Sequence, residues 1–103
     1  MRLEFAKAAG RDLEDIIDCI ALDNPTAAEK VYRAIVASAR RLGDFPDLGR
    51  SGRLPGTREL HVSSLPYLIV YQVGTEAVTI LAIFHGARDL VQAFAERRKQ
   101  IKQ

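Results

Sequence analysis

A three-residue break, Asp23-Asn24-Pro25, divides the first half of the chain into two segments of helical periodicity, and it constrains the fold more than any other feature. Asn24 can accept the free amide hydrogens of a helix start, and Pro25 at the first helical position loses nothing by lacking one. Before the break, over residues 8–22, Leu13, Ile16, Ile17 and Ile20 recur at the i, i+3, i+4, i+7 spacing of one apolar stripe. Arg11, Asp12, Glu14, Asp15 and Asp18 fill the remaining positions, so this helix is expected to show a mostly acidic outer face. After the break, to about residue 42, Ala28, Val31, Ile35, Ala39 and Leu42 form a second stripe, with Lys30, Arg33, Arg40 and Arg41 pointing away. A link this short between two amphipathic helices predicts an antiparallel helical hairpin. Its apolar side needs a sheet to cover.

The strands for that sheet are legible on both sides of the hairpin. Residues 2–6 alternate, which puts Leu3 and Phe5 on a core face. Residues 43–56 hold Gly43, Gly49, Gly52 and Gly56 with Pro46 and Pro55, the composition of a loop, made basic by Arg50 and Arg53. Three strands are predicted in close order at 57–62, 68–73 and 77–85. The last two are joined by a tight turn in which Gly74 is expected to take a positive φ. Ile80-Leu81-Ala82-Ile83-Phe84 is a continuous apolar run, as in a central strand covered on both faces. Asp89, with Gln92 three positions on, predicts a capped helix over residues 90–102, anchored by Leu90, Phe94 and Ile101. The order β-α-α-β-β-β followed by a C-terminal helix is an α+β fold: a small, mostly antiparallel sheet with the hairpin packed on one face.

Length and composition set the outer bounds. At 103 residues the chain suits one domain, residues 1–103, with a single core. No apolar run approaches the roughly 20 residues of a membrane helix, and residues 1–5 lack the apolar centre of a signal peptide. Cys19 is the only cysteine, which excludes an internal disulfide and a four-cysteine zinc site. A cytoplasmic address without membrane, metal or cofactor is the expectation. Residues 1–45 carry seven Lys/Arg against eight Asp/Glu, and residues 46–103 carry eight against five. Positive charge therefore gathers in the second half, where an acidic or phosphate-rich partner would be met.

Five stretches, in order and at their spacings, resemble one protein family. They are Asp23-Asn24-Pro25-Thr26-Ala27-Ala28, then Leu42-Gly43-Asp44-Phe45-Pro46-Asp47-Leu48-Gly49-Arg50, then Pro55-Gly56-Thr57-Arg58-Glu59-Leu60. Pro66-Tyr67-Leu68-Ile69-Val70-Tyr71 and Ile83-Phe84-His85-Gly86-Ala87-Arg88-Asp89 complete the set. Together they resemble the RelE/ParE superfamily of type II toxin–antitoxin toxins, nearest its ParE-like branch. The resemblance implies a toxin neutralised by a cognate antitoxin that wraps an arm and a helix around it. Arg33 and Arg40 are candidates to meet an acidic antitoxin segment. ParE-like members act on DNA gyrase, whereas RelE-like members cut messenger RNA in the ribosome. One scaffold hosts both, and a member whose toxicity has been lost would only bind.

Metal-free RNA cleavage needs a base, an acid and cations for the phosphate. Arg88 matches the arginine that RelE-like nucleases place after the last long strand. Leu68 and Phe94 stand where one branch has an arginine and a tyrosine, and Glu59 and His61 where it has lysines. The reaction of that branch is therefore not expected. Glu59 and His61, two apart on a strand, do share a face, and with Arg88 they are the catalytic candidates if the chain cuts RNA. The plainer reading of the pair is an ordinary cross-strand contact, and it weighs more. His85 is expected to make a structural hydrogen bond, Tyr71 to be core with its hydroxyl at the rim, and Arg58 to pair with acids of the first helix if it has no other role. For binding a target, Arg50, Arg53, Arg58, His85 and Arg88 are the candidates. The expected function is a ParE-like gyrase inhibitor, and the alternative is a ribosome-dependent endoribonuclease.

Overall fold

A computed structural model describes residues 1–86 of the chain. The expected helix over 90–102, its Asp89 cap and Arg88 lie outside the described residues. The elements are β1 (Arg2–Phe5), α1 (Lys7–Ala21), α2 (Pro25–Asp44), β2 (Arg50–Ser51), β3 (Arg58–His61), β4 (Tyr67–Val73) and β5 (Ala77–His85). Asn24 caps α2 as its chemistry dictates: its side-chain oxygen accepts from the Ala27 N–H at 3.0 Å, and Pro25 opens the helix. The sheet order is β1-β5-β4-β3-β2, with β1 parallel to β5 and every other pair antiparallel.

The hairpin covers one face of this sheet. Ile35, Ala39 and Leu42 of α2 and Ala9 of α1 are fully buried against Tyr67, Ile69, Tyr71, Val78, Ile80 and Ile83. On the opposite face Leu68, Val70 and Ala82 are buried with Leu54 and Phe84 packed against them. The apolar run of β5 is thus used on both sides, as a central strand requires. A register shift between Val70 and Tyr71 pairs them with Ala82 and Ile80, which leaves Leu81 as the extra residue of a bulge. The bulge resets the alternation, so Ile80 and Ile83 both meet the helices. Beside it, the Ile83 N–H donates to Asp12 Oδ2 at 3.0 Å.

Four expectations are corrected. Asp12 is not on the outer face of α1 but is turned inward to the sheet, where a bulged strand has an amide to satisfy. Phe5 is not core: it is 39% exposed, because the short edge strand leaves it beside the helices rather than beneath them. Gly74 does not have a positive φ; the glycines that do are Gly56 and Gly86 among the described residues. Its turn closes through the Gly74 N–H to the Ala77 oxygen at 2.8 Å, and a Cβ there would meet that oxygen at 3.2 Å, so the demand is for space. Finally, the 43–56 loop contains β2, a strand of two residues, too short to leave a periodicity in the sequence. Among the described residues no helix is long and apolar enough to cross a membrane.

Candidate functional site: a latched basic loop and an apolar groove

The loop after α2 is held by two side chains from the strands. Tyr71, fully buried at the middle of β4, donates its hydroxyl hydrogen to the Pro46 carbonyl at 2.7 Å and accepts the Gly49 N–H at 2.8 Å. Arg58, opposite Tyr71 in the register, donates from Nη2 to the carbonyls of Asp47 and Gly49. Gly49 has to be glycine here, since a Cβ would sit 2.6 Å from the Glu59 oxygen and 2.7 Å from the Tyr71 hydroxyl. Arg58 therefore serves the loop's own carbonyls, not the acids of α1. Tyr71 is core, in line with expectation, but its hydroxyl is enclosed beneath the loop and not at the rim.

This latch positions β2, which pairs Arg50 with Glu59. Glu59 is only 2% exposed. One carboxylate oxygen accepts the Arg53 N–H at 2.8 Å, and the other lies 4.0 Å from the Arg50 guanidinium. A buried carboxylate is tolerable only with such partners. Arg50 itself is largely exposed, so its long-range pairing adds little beside the short amide bond. His61, on the same strand face, is exposed, and no hydrogen bond joins it to Glu59 among the described residues. The two catalytic candidates thus share a face but differ in circumstance: one is buried and engaged, the other open.

Arg50, Arg53 and His61 converge on a pocket of about 120 Å3, completed by Pro66, Tyr67, Leu68 and Gly86. Three candidates drawn from two stretches of sequence, the loop and β3, are thereby brought to one basic spot with an apolar wall. The pairing of β2 with β3 makes this juxtaposition, and the sequence carries only one faint signal of it, the opposite charges of Arg50 and Glu59. His85 faces the other way. Its ring meets Tyr67 edge to face, with centroids 5.2 Å apart, and the expected structural hydrogen bond is not made to any of the described residues. Burial, and secondarily the neighbouring Cys19, push the Tyr67 hydroxyl above its ordinary pKa.

A second feature lies on the far side. Leu3, Phe5, Leu13, Ile17, Tyr32 and Val36 line an open apolar groove of about 510 Å3 between β1 and the two helices. Glu14, Asp18 and Arg40 stand on its rim. Ile17, expected in the core stripe of α1, turns to this groove instead, and Tyr32 beside it is 46% exposed. Arg33 is an exposed residue paired with Glu29 one turn back at 2.6 Å, outside the groove lining.

A helical hairpin on a five-stranded, mostly antiparallel sheet matches the fold of the ParE and RelE toxins. The family model for the ParE toxin of the type II toxin–antitoxin system parDE matches residues 3–90, and the chain belongs to this family. A putative toxin, Y4kP, of Sinorhizobium fredii is 36% identical over 85 residues, spanning 82% of this chain and 88% of the relative. Toxin RelE3 of Caulobacter vibrioides is 33% identical over 86 residues, spanning 82% and 92%. Among solved structures, the chromosomal ParDE system of P. aeruginosa contains a chain that superposes with a TM-score of 0.76 at 27% identity, covering 84% of this chain and 96% of that one. The isolated E. coli RelE toxin shares the fold, with a TM-score of 0.55 at 20% identity and coverage of 94% and 96%.

Proposed function

We propose that this type II toxin acts by binding DNA gyrase and not by cutting RNA, and that a cognate antitoxin neutralises it. The observation that carries the reading is the state of Glu59. Its carboxylate is buried and already accepts the Arg53 amide hydrogen, so it is not placed to take a proton from a substrate hydroxyl. The wall beside His61 is Leu68, a side chain that cannot neutralise a phosphate. Arg50, Arg53 and His61 then form a basic contact patch. The antitoxin partner follows from the company the fold keeps, which includes the ParDE system of P. aeruginosa and the RelBE2 toxin–antitoxin complex of Mycobacterium tuberculosis. The groove walled by Phe5, Ile17 and Tyr32 suits one face of an amphipathic antitoxin helix, with Arg40 on the rim for an acidic residue.

The second reading, ribosome-dependent RNA cleavage, draws on the same pocket, because two arginines and an imidazole in one place also suit a phosphodiester. A supercoiling assay with purified gyrase, run beside messenger-RNA cleavage on translating ribosomes, separates the two. Inhibition of supercoiling with intact messenger is expected. Ribosome-dependent cleavage lost on His61→Gln would overturn the proposal.

A further inference from the structure

Two of the exposed large apolar side chains among the described residues fall within four residues of each other and outside the groove. Phe45 is 60% exposed and Leu48 is 40% exposed, at the turn that follows α2. With Arg41, Asp44, Pro46 and Asp47 they form one shallow open surface. The backbone beneath them is unusually well held for a surface turn. The Phe45 N–H bonds the Arg41 carbonyl at 2.8 Å and the Leu48 N–H bonds the Phe45 carbonyl at 3.0 Å. Tyr71 holds the Pro46 carbonyl, and Arg58 holds that of Asp47. A rigid turn that displays two large apolar side chains loses little conformational entropy when a partner covers them.

We propose that this turn is a docking knob for the toxin's protein target, inserted into an apolar socket rimmed by Lys or Arg. This rests on the reading that the target is a protein, gyrase. The charges choose the occupant. Asp44 precedes Phe45 and Asp47 precedes Leu48, and neither has an ion pair among the described residues; with Arg41 the single cation on this surface, its net negative charge calls for cations across the contact. The same carboxylates repel a nucleic-acid backbone. A symmetric contact with a second copy would place Asp44 and Asp47 against their own counterparts. The seat proposed for the antitoxin is the groove, which shares no lining residue with this turn and has Arg40 on its rim for an acidic segment. The basic pocket and the acidic knob thus present opposite charge to one partner, which fixes its orientation.

The test uses the full chain with Phe45→Ser/Leu48→Ser and, separately, Asp44→Lys/Asp47→Lys. Each variant is followed by thermal melting, antitoxin titration, sedimentation, inhibition of gyrase holoenzyme and growth arrest in cells. Both variants should keep the wild-type melt, antitoxin affinity and sedimentation, and should weaken gyrase inhibition by roughly tenfold to a hundredfold, the scale of removing an interface anchor. Undiminished inhibition would overturn the proposal, as would loss of antitoxin affinity, a change in self-association, or a lowered melt that assigns the turn to the chain's own fold. If wild-type toxin leaves gyrase untouched, the gyrase reading falls by itself. The knob then stands if the variants relieve growth arrest while folded, and falls if they arrest growth as wild type does.

Discussion

The Tyr71 hydroxyl donates to the Pro46 carbonyl oxygen, 25 positions earlier in the chain, at 2.7 Å. Together with the Gly49 amide hydrogen it accepts, this makes a core residue the anchor of the loop after α2. Tyr71→Phe keeps the packing and removes both bonds, leaving a buried N–H and a carbonyl without their partner. A loss of about 1–3 kcal/mol of stability is expected, together with faster hydrogen exchange at the Gly49 amide. An unchanged melt with an unchanged Gly49 exchange rate would show that the latch holds nothing. Gly49→Ala should cost at least as much, because its Cβ would press on the Glu59 backbone oxygen as well as on the tyrosine.

Glu59→Gln and His61→Gln test chemistry against architecture. In a gyrase-binding toxin Glu59→Gln should arrest growth nearly as wild type does, and His61→Gln should weaken arrest only by the loss of one surface contact, since no proton transfer passes through either residue. Glutamine still offers the Arg53 N–H an oxygen, so the loop should survive. In a nuclease either change should remove roughly 2–4 kcal/mol of transition-state stabilisation, seen as a large loss of cleavage rate. Glu59→Ala is a different experiment. It deletes the acceptor of a buried amide bond and should lower the melting temperature whichever target is right.

The helical hairpin and the central strand were legible because both announce themselves through spacing: the Asn24-Pro25 start, the stripes through Ile35 and Leu13, and the apolar run through Ile83. What escaped is long-range and local at once. A strand as short as Arg50–Ser51 has no period to detect, yet it pairs Arg50 with Glu59 and so decides that Glu59 is a buried acceptor. Phe5 and Ile17 read as core by periodicity, but β1 is an edge strand and α1 covers the sheet along only one stripe, which leaves both on the groove. Arg58 read as a surface cation because its partners are carbonyls, which no residue type reveals.

Charge reversal in α2 distinguishes the two antitoxin candidates. Arg40 lies on the groove rim, whereas Arg33 is outside the groove lining and already paired with Glu29. Arg40→Glu should therefore weaken antitoxin binding more than Arg33→Glu, with the double variant close to Arg40→Glu alone. Titration calorimetry with the purified antitoxin measures this. Equal single effects would place the acidic segment along the exposed face of α2 and away from the groove.

Tyr67 gives the fold a predictable alkaline limit. Burial is the larger cause of its raised pKa, with Cys19 the smaller, and both disfavour the phenolate in the folded state. In the unfolded chain the same tyrosine ionises near its ordinary pKa of 10.0. The folded-state pKa lies higher, so between the two the unfolded chain has lost more protons and stability must fall as pH rises. Below pH 10 the residue is neutral in both states and contributes no slope. Tyr67→Phe deletes the ionisable group while retaining the ring that His85 packs against. Denaturant midpoints measured from pH 8 to pH 11 should fall more steeply above pH 10 for the wild type than for the variant. Parallel curves over that range would mean that Tyr67 ionises as freely in the folded chain as in the unfolded one.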